Sequence, residues 1–229
     1  MNSFTLYILC FLVPMILGFA VQGWLKSTFA RNSKVPVASG QTGADVARAI
    51  LDRNGLSDVP VHPSKAGPLS DHYDPRKRGV FLSQPVFAGR SIAASAVAAH
   101  EVGHAIQHQE GYVPMKARSA LWPVAAFGSQ AWFFILLAGL LFGATGLIQL
   151  AIVVFAAVVL FQLVTLPVEF NASRRAAEQL QALGLVNQNE AVGVRKTLTA
   201  AAMTYVAGAL AAVAQLLYFL MLFGGGSRD

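Results

Sequence analysis

The sequence predicts a mainly α-helical integral membrane protein, with about four transmembrane helices and a small α+β region built around one helix outside the bilayer. Two observations carry this. Of the 229 residues, 55% are hydrophobic and only 12% charged, far from the make-up of a soluble domain. The charges are also absent in blocks, at 2–25, 119–168 and 197–227, each long enough to cross a hydrocarbon core of about 30 Å. The net charge of +6 is scattered and comes with no nucleic-acid-binding motif, so membrane topology accounts for it better than nucleic acid does. Cys10 is the single cysteine and reads as a small apolar packing residue; no intramolecular disulfide can form.

In chain order, residues 1–25 read as a retained transmembrane anchor, because the apolar run is long for a cleaved signal and no basic residue precedes it. Residues 26–118 form the candidate catalytic region. Within it, 43–54 has helical periodicity, with Val46, Ala47, Ile50 and Leu51 on one face. The stretch 62–78 is rich in Pro, Gly, Ser and Asp and reads as loop, and 79–83 reads as a short strand. Ser91 is a suitable N-cap for a helix to Gln109, which Gly111 would stop. The uncharged 119–168 must double back, with 143–146 as the turn of a transmembrane hairpin. Gly139 and Gly143 share a GxxxG spacing, which offers a helix-dimerisation role against the commoner one of turn and packing glycines. Residues 169–197 read as a polar helical segment broken at Gly184, and 198–229 as a last span with a short tail. Trp24, Trp122 and Tyr112 fall near the expected interfaces as anchors.

Basic residues near the span ends set orientation. Lys26, Arg31, Lys34, Lys116, Arg118, Arg174, Arg175, Arg195 and Lys196 flank one side, and Arg228 the other. The expected arrangement is multi-pass in a bacterial inner membrane, with the 26–118 and 169–197 regions facing the cytoplasm.

The chemistry is carried by His100-Glu101-Val102-Gly103-His104, an HExxH sequence. On a helix, positions four apart differ by about 40° of rotation and about 6 Å of rise, so both imidazoles can converge on one ion. Neutral imidazole suits Zn2+, and Glu101, one position round, can take the proton of a water at the metal. A catalytic zinc needs a third protein ligand. The extended HExxHxxGxxH pattern fails, since Gln107 and Glu110 stand at its last two fixed positions. His108 continues the row but lies about 12 Å along the axis from His100. Glu169 is the better choice, because a hairpin returns the chain to the side it left and a carboxylate at a membrane edge needs a partner. A pairing of Glu169 with Arg174 or Arg175 is the plainer alternative, and His108, Glu178 and His72 are the reserve ligands. Val80, Phe81 and Leu82 form either an edge strand that takes up an extended substrate or a plain core strand. His72 and Tyr73 are candidates to stabilise an oxyanion.

HEVGHAIQH, the segments Tyr73-Asp74-Pro75-Arg76 and Leu82-Ser83, and Pro167-Val168-Glu169-Phe170-Asn171-Ala172-Ser173 together resemble the bacterial membrane zinc metallopeptidase family typified by YugP. The resemblance covers nearly the whole chain. More distantly the chain is similar to the HtpX membrane proteases, of gluzincin type, which set a transmembrane hairpin between HExxH and a downstream ligand glutamate. That resemblance implies Glu169 as third ligand. HtpX-type proteins follow this glutamate with an aspartate four residues on, whereas this chain has Ser173, which leaves Asn171 and Asp74 as candidates to hold a ligand histidine from behind. The expected activity is zinc-dependent endopeptidase cleavage of membrane-associated or unfolded polypeptides, with the substrate and the lipid bilayer as partners. A homo-oligomer or a regulatory membrane partner is left open, as are two rival readings: a metal-free scaffold, and a zinc hydrolase of non-peptide bonds.

Overall fold

The computed structural model of the chain describes residues 3–67 and 70–223. Arg228 and the tail from 224 lie outside them. Among the described residues four helices are long and apolar enough to cross a membrane, and with one small sheet they make a mainly helical, multi-pass membrane protein. The chain divides into two compact units, one of residues 1–21, 116–167 and 204–229, the other of 22–115 and 168–203.

The first unit holds α1 (Ser3–Tyr7), a π-helical turn (Ile8–Leu12) and the start of α2 (Val13–Asn32). It also takes most of α6 (Val113–Leu141), the first part of α7 (Thr145–Ala182) and the last part of α8 (Gln188–Phe223). Its core is aromatic: the Trp132 ring lies 4.6 Å from Phe155 and 5.6 Å from Phe219, and Phe11 meets Tyr218 edge-on at 5.0 Å. Gly143, at φ +63°, makes the hairpin turn, where Ala144 N–H donates to Gly139 C=O. A Cβ on Gly139 would stand 2.8 Å from Ile148, so this glycine lets α6 and α7 close on each other. The GxxxG pair is thus used inside the hairpin.

The second unit is packed around α5 (Ile92–Gln109). Ser91 Oγ accepts from Ala94 N–H as its N-cap, and Gly111, at φ +65°, follows its end. Alanines at 93, 94, 96, 98, 99 and 105 keep the helix slim, and it is buried on nearly all sides. α3 (Gly43–Arg53) opens with a reciprocal cap between Thr42 and Asp45 and packs Val46, Ala47, Ile50 and Leu51 inward. Three strands follow: β1 (Val61–Ser64), β2 (His72–Asp74) and β3 (Gly79–Ser83), in the order β1-β3-β2, with β1 parallel and β2 antiparallel to β3. One sequence expectation is corrected here and one open choice is decided. The stretch read as loop contains β1 and β2, and of the two readings offered for Val80, Phe81 and Leu82 the core strand holds, since β3 is central in the sheet. Short edge strands of Val-His-Pro-Ser and His-Tyr-Asp carry too little apolar alternation to be read as strands. α4 (Gln84–Phe87) leads back to α5. At the other end of the unit, Gly184, at φ +62°, breaks α7 from α8, where Asn187 and Glu190 cap each other's backbone N–H.

Candidate metal centre

α5 supplies two imidazoles. The rings of His100 and His104 stand edge to face with centroids 4.8 Å apart. The part of α7 in the same unit brings Glu169, only 2% exposed, whose Oε2 lies 3.2 Å from His100 Nε2 and 3.7 Å from His104 Nε2. One ligand atom from each of the three residues lies within 4.8 Å of the others. Gly103 permits this approach. A Cβ there would sit 2.7 Å from the Ala172 carbonyl oxygen and 3.2 Å from its Cα, so α5 and α7 meet backbone to backbone between the histidines.

The remaining ring nitrogens are engaged as well. His100 Nδ1 lies 3.2 Å from Ser173 Oγ, and His104 Nδ1 lies 3.0 Å from Gln107 Oε1. Each ring therefore turns Nε2 toward the glutamate while Nδ1 is held from behind. Two imidazole nitrogens and a carboxylate oxygen, each oriented by a polar neighbour, are a donor set that fits a catalytic zinc.

Glu101, 7% exposed, accepts a hydrogen bond on Oε2 from Tyr73 N–H at 3.0 Å. Burial pushes its carboxyl above the ordinary carboxylate range, against the pull of His100 and His104. Burial also opposes charge on His104, but the contact and charge of Glu169 outweigh it and hold that imidazole above its usual value. Asp71 is raised by burial while it accepts from the backbone N–H and hydroxyl of Ser83, tying β3 to the segment that leads into β2.

The other sequence candidates divide. Tyr73 touches the site through its backbone N–H, while its hydroxyl lies 2.8 Å from His108 Nδ1. His72 is exposed and stacks on Phe81 at 5.0 Å, with Nδ1 2.8 Å from Ser70 C=O. Asp74 accepts from the backbone N–H of Arg76 and Lys77 and so shapes the turn after β2. Asn171 Oδ1 accepts from Gln107 Nε2 at 2.9 Å and from Arg175 Nε at 2.7 Å. Arg175 also pairs with Glu110. Sequence reasoning gave Gln107 and Gly103 no part in the site and offered Arg175 only as an alternative partner of Glu169. The signal for Gln107 was its place three residues after His104 on the same helix face, and for Arg175 its place four after Asn171.

A family model described as "Putative neutral zinc metallopeptidase" matches residues 7–224. The "Putative membrane protease YugP" of Bacillus subtilis (strain 168) is 51% identical over 224 residues, covering 98% of this chain and 99% of that protein. No solved structure matches the chain significantly.

Proposed function

Since the chain belongs to the neutral zinc metallopeptidase family, we propose that it is a membrane endopeptidase in which His100, His104 and Glu169 hold zinc and Glu101 is the general base. The observation that carries this reading is the meeting of two histidines, one turn apart on α5, with a buried glutamate from α7, beside a second buried carboxylate. Zinc, when bound, supplies Lewis-acid activation of water and of the scissile carbonyl. Glu101 accepts the proton of the attacking water and returns it to the leaving amine. The Tyr73 N–H holds one carboxylate oxygen of Glu101, which keeps the group in place and leaves the other oxygen to move the proton. Because Tyr73 N–H points to Glu101 rather than into the β2–β3 ladder, the outer edge of β2 runs beside the reacting carboxylate. A peptide rather than a small substrate is favoured by the metallopeptidase family and the membrane-protease relative.

In this reading the polypeptides are membrane-associated or unfolded, and residues 26–118 and 169–197 face the cytoplasm, on the side rich in Lys and Arg. Zinc content and cleavage of an unfolded protein, compared between the parent and Glu101→Gln, test the chemistry. Glu101→Gln should keep about one zinc per chain and lose turnover by about 10²-fold or more. Full turnover in that variant at saturating zinc removes the general-base assignment. For the orientation, cysteines placed at Ser64 and Gln188 should be silent to an impermeant reagent added outside intact cells; labelling there would reverse the topology.

A further inference from the structure

We infer that Arg175, Asn171 and Gln107 are positioning residues that fix the tautomer of His104, so that its Nε2 lone pair is always directed at the metal position. This rests on the reading of His104 as a zinc ligand and concerns how that ligand is prepared. Gln107 is fully buried, and its Nε2 faces two groups, the Val168 carbonyl oxygen at 2.9 Å and Asn171 Oδ1 at 2.9 Å. A backbone carbonyl can only accept, so the Gln107 amide cannot be reversed. The Asn171 amide is fixed by the same logic from the other side. Arg175 Nε, which can only donate, lies 2.7 Å from the same Oδ1. Arg175 is in turn clamped by both carboxylate oxygens of Glu110, at 2.9 and 2.6 Å.

From the surface inward, each group therefore leaves the next a single choice. Gln107 must present Oε1 to His104 Nδ1, 3.0 Å away, and Oε1 can only accept. Nδ1 then carries a proton whatever the charge of the ring, so in the neutral imidazole that a metal requires it is Nε2, the nitrogen facing Glu169, that has the lone pair. An imidazole without this partner can take either tautomer, and the wrong one would point an N–H at the cation. Reversing the Gln107 amide would set its oxygen against two other buried acceptors, a loss of hydrogen bonds that the interior does not forgive.

The test separates positioning from simple support, because Asn171 uses only its oxygen in both bonds. The full chain, labelled with ¹⁵N at histidine and stripped of zinc in detergent micelles, is measured by two-bond ¹H–¹⁵N correlation, with His104→Gln identifying the His104 signals. At a pH where the imidazole is neutral, the parent should show His104 protonated at Nδ1. Asn171→Leu should show mixed tautomers and bind zinc about 10- to 100-fold more weakly in chelator competition. Asn171→Asp, whose carboxylate can accept from both Gln107 and Arg175, should recover most of that loss. Arg175→Gln, a milder change nearer the surface, should move both readouts in the direction of Asn171→Leu. A folded Asn171→Leu or Arg175→Gln protein with the parent's tautomer and zinc affinity overturns the inference, even if its melting temperature falls. Tight stoichiometric zinc in His104→Ala would instead overturn the ligand reading on which the inference stands.

Discussion

The two units share α7 and α8 yet are stabilised by different means. In the unit of 22–115 and 168–203, large apolar side chains such as Ile50, Leu82 and Leu180 are fully buried, and buried polar groups such as Gln107 and Glu169 have specific partners. In the other unit the buried cluster is Leu136, Ala151, Phe155, Val159 and Phe219, while Phe127, Phe134, Leu141 and Val153 are each at least 66% exposed. In water those side chains would form an aggregation surface; against lipid tails they cost nothing, and covering them with protein gains little. One chain thus uses burial in two senses. Where water is the solvent, an apolar side chain must be enclosed by protein, and where lipid is the solvent, only shape and polar pairing are left to hold helices together. A helix can run through both because its own backbone satisfies its hydrogen bonds.

The effects expected from perturbing the two units differ widely in size. The largest belongs to Glu169→Ala, which should lose zinc and turnover together, because the buried carboxylate is spent on the two histidines. Tight stoichiometric zinc in the folded variant would send the search for a third ligand to His108, Glu178 and His72. Zinc itself should act on one unit only. At about a hundredfold excess over its dissociation constant it should add about 2.7 kcal/mol to the state that binds it. Hydrogen exchange should then slow in α5 and in residues 168–182 and stay unchanged in 132–159; uniform slowing would mean that the units respond as one. The smallest effects compare ordinary packing. Leu180→Ala should cost about 2–5 kcal/mol in reversible unfolding in micelles, the range of a fully buried leucine, whereas Phe134→Ala should stay within about 0.5 kcal/mol. Equal losses would show that the exposed face of α6 is covered by something other than lipid.

Features with a strong local cause could be read from the sequence. The uncharged blocks mark the long apolar helices, and Ser91 and Gly111 mark the ends of α5 because a cap and a left-handed stop are local chemistry. The short strands β1 and β2 could not be read, since their pairing with β3 is tertiary and their residues are those of a loop. The candidate site divides in the same way. The HExxH spacing is visible because both histidines sit on one helix. Glu169 could be proposed only through the return of a hairpin and a family resemblance. Ser173 lies against His100 Nδ1, so a hydroxyl takes the place for which Asn171 and Asp74 were candidates, and Asp74 is occupied with its own turn. Gly103 carries no signal at all until the Ala172 carbonyl is seen against it.

The hydrogen bond that restrains Glu101 comes from the main chain of Tyr73. Its genetic consequence is robustness: nineteen of the twenty standard side chains at position 73 supply the same N–H, and only proline removes it. Variation at this position would report first on the packing of the buried ring and its contact with His108, and on the carboxylate only through them. The bond can be erased cleanly only by chemistry outside the genetic code, such as replacing the Tyr73 amide by an ester.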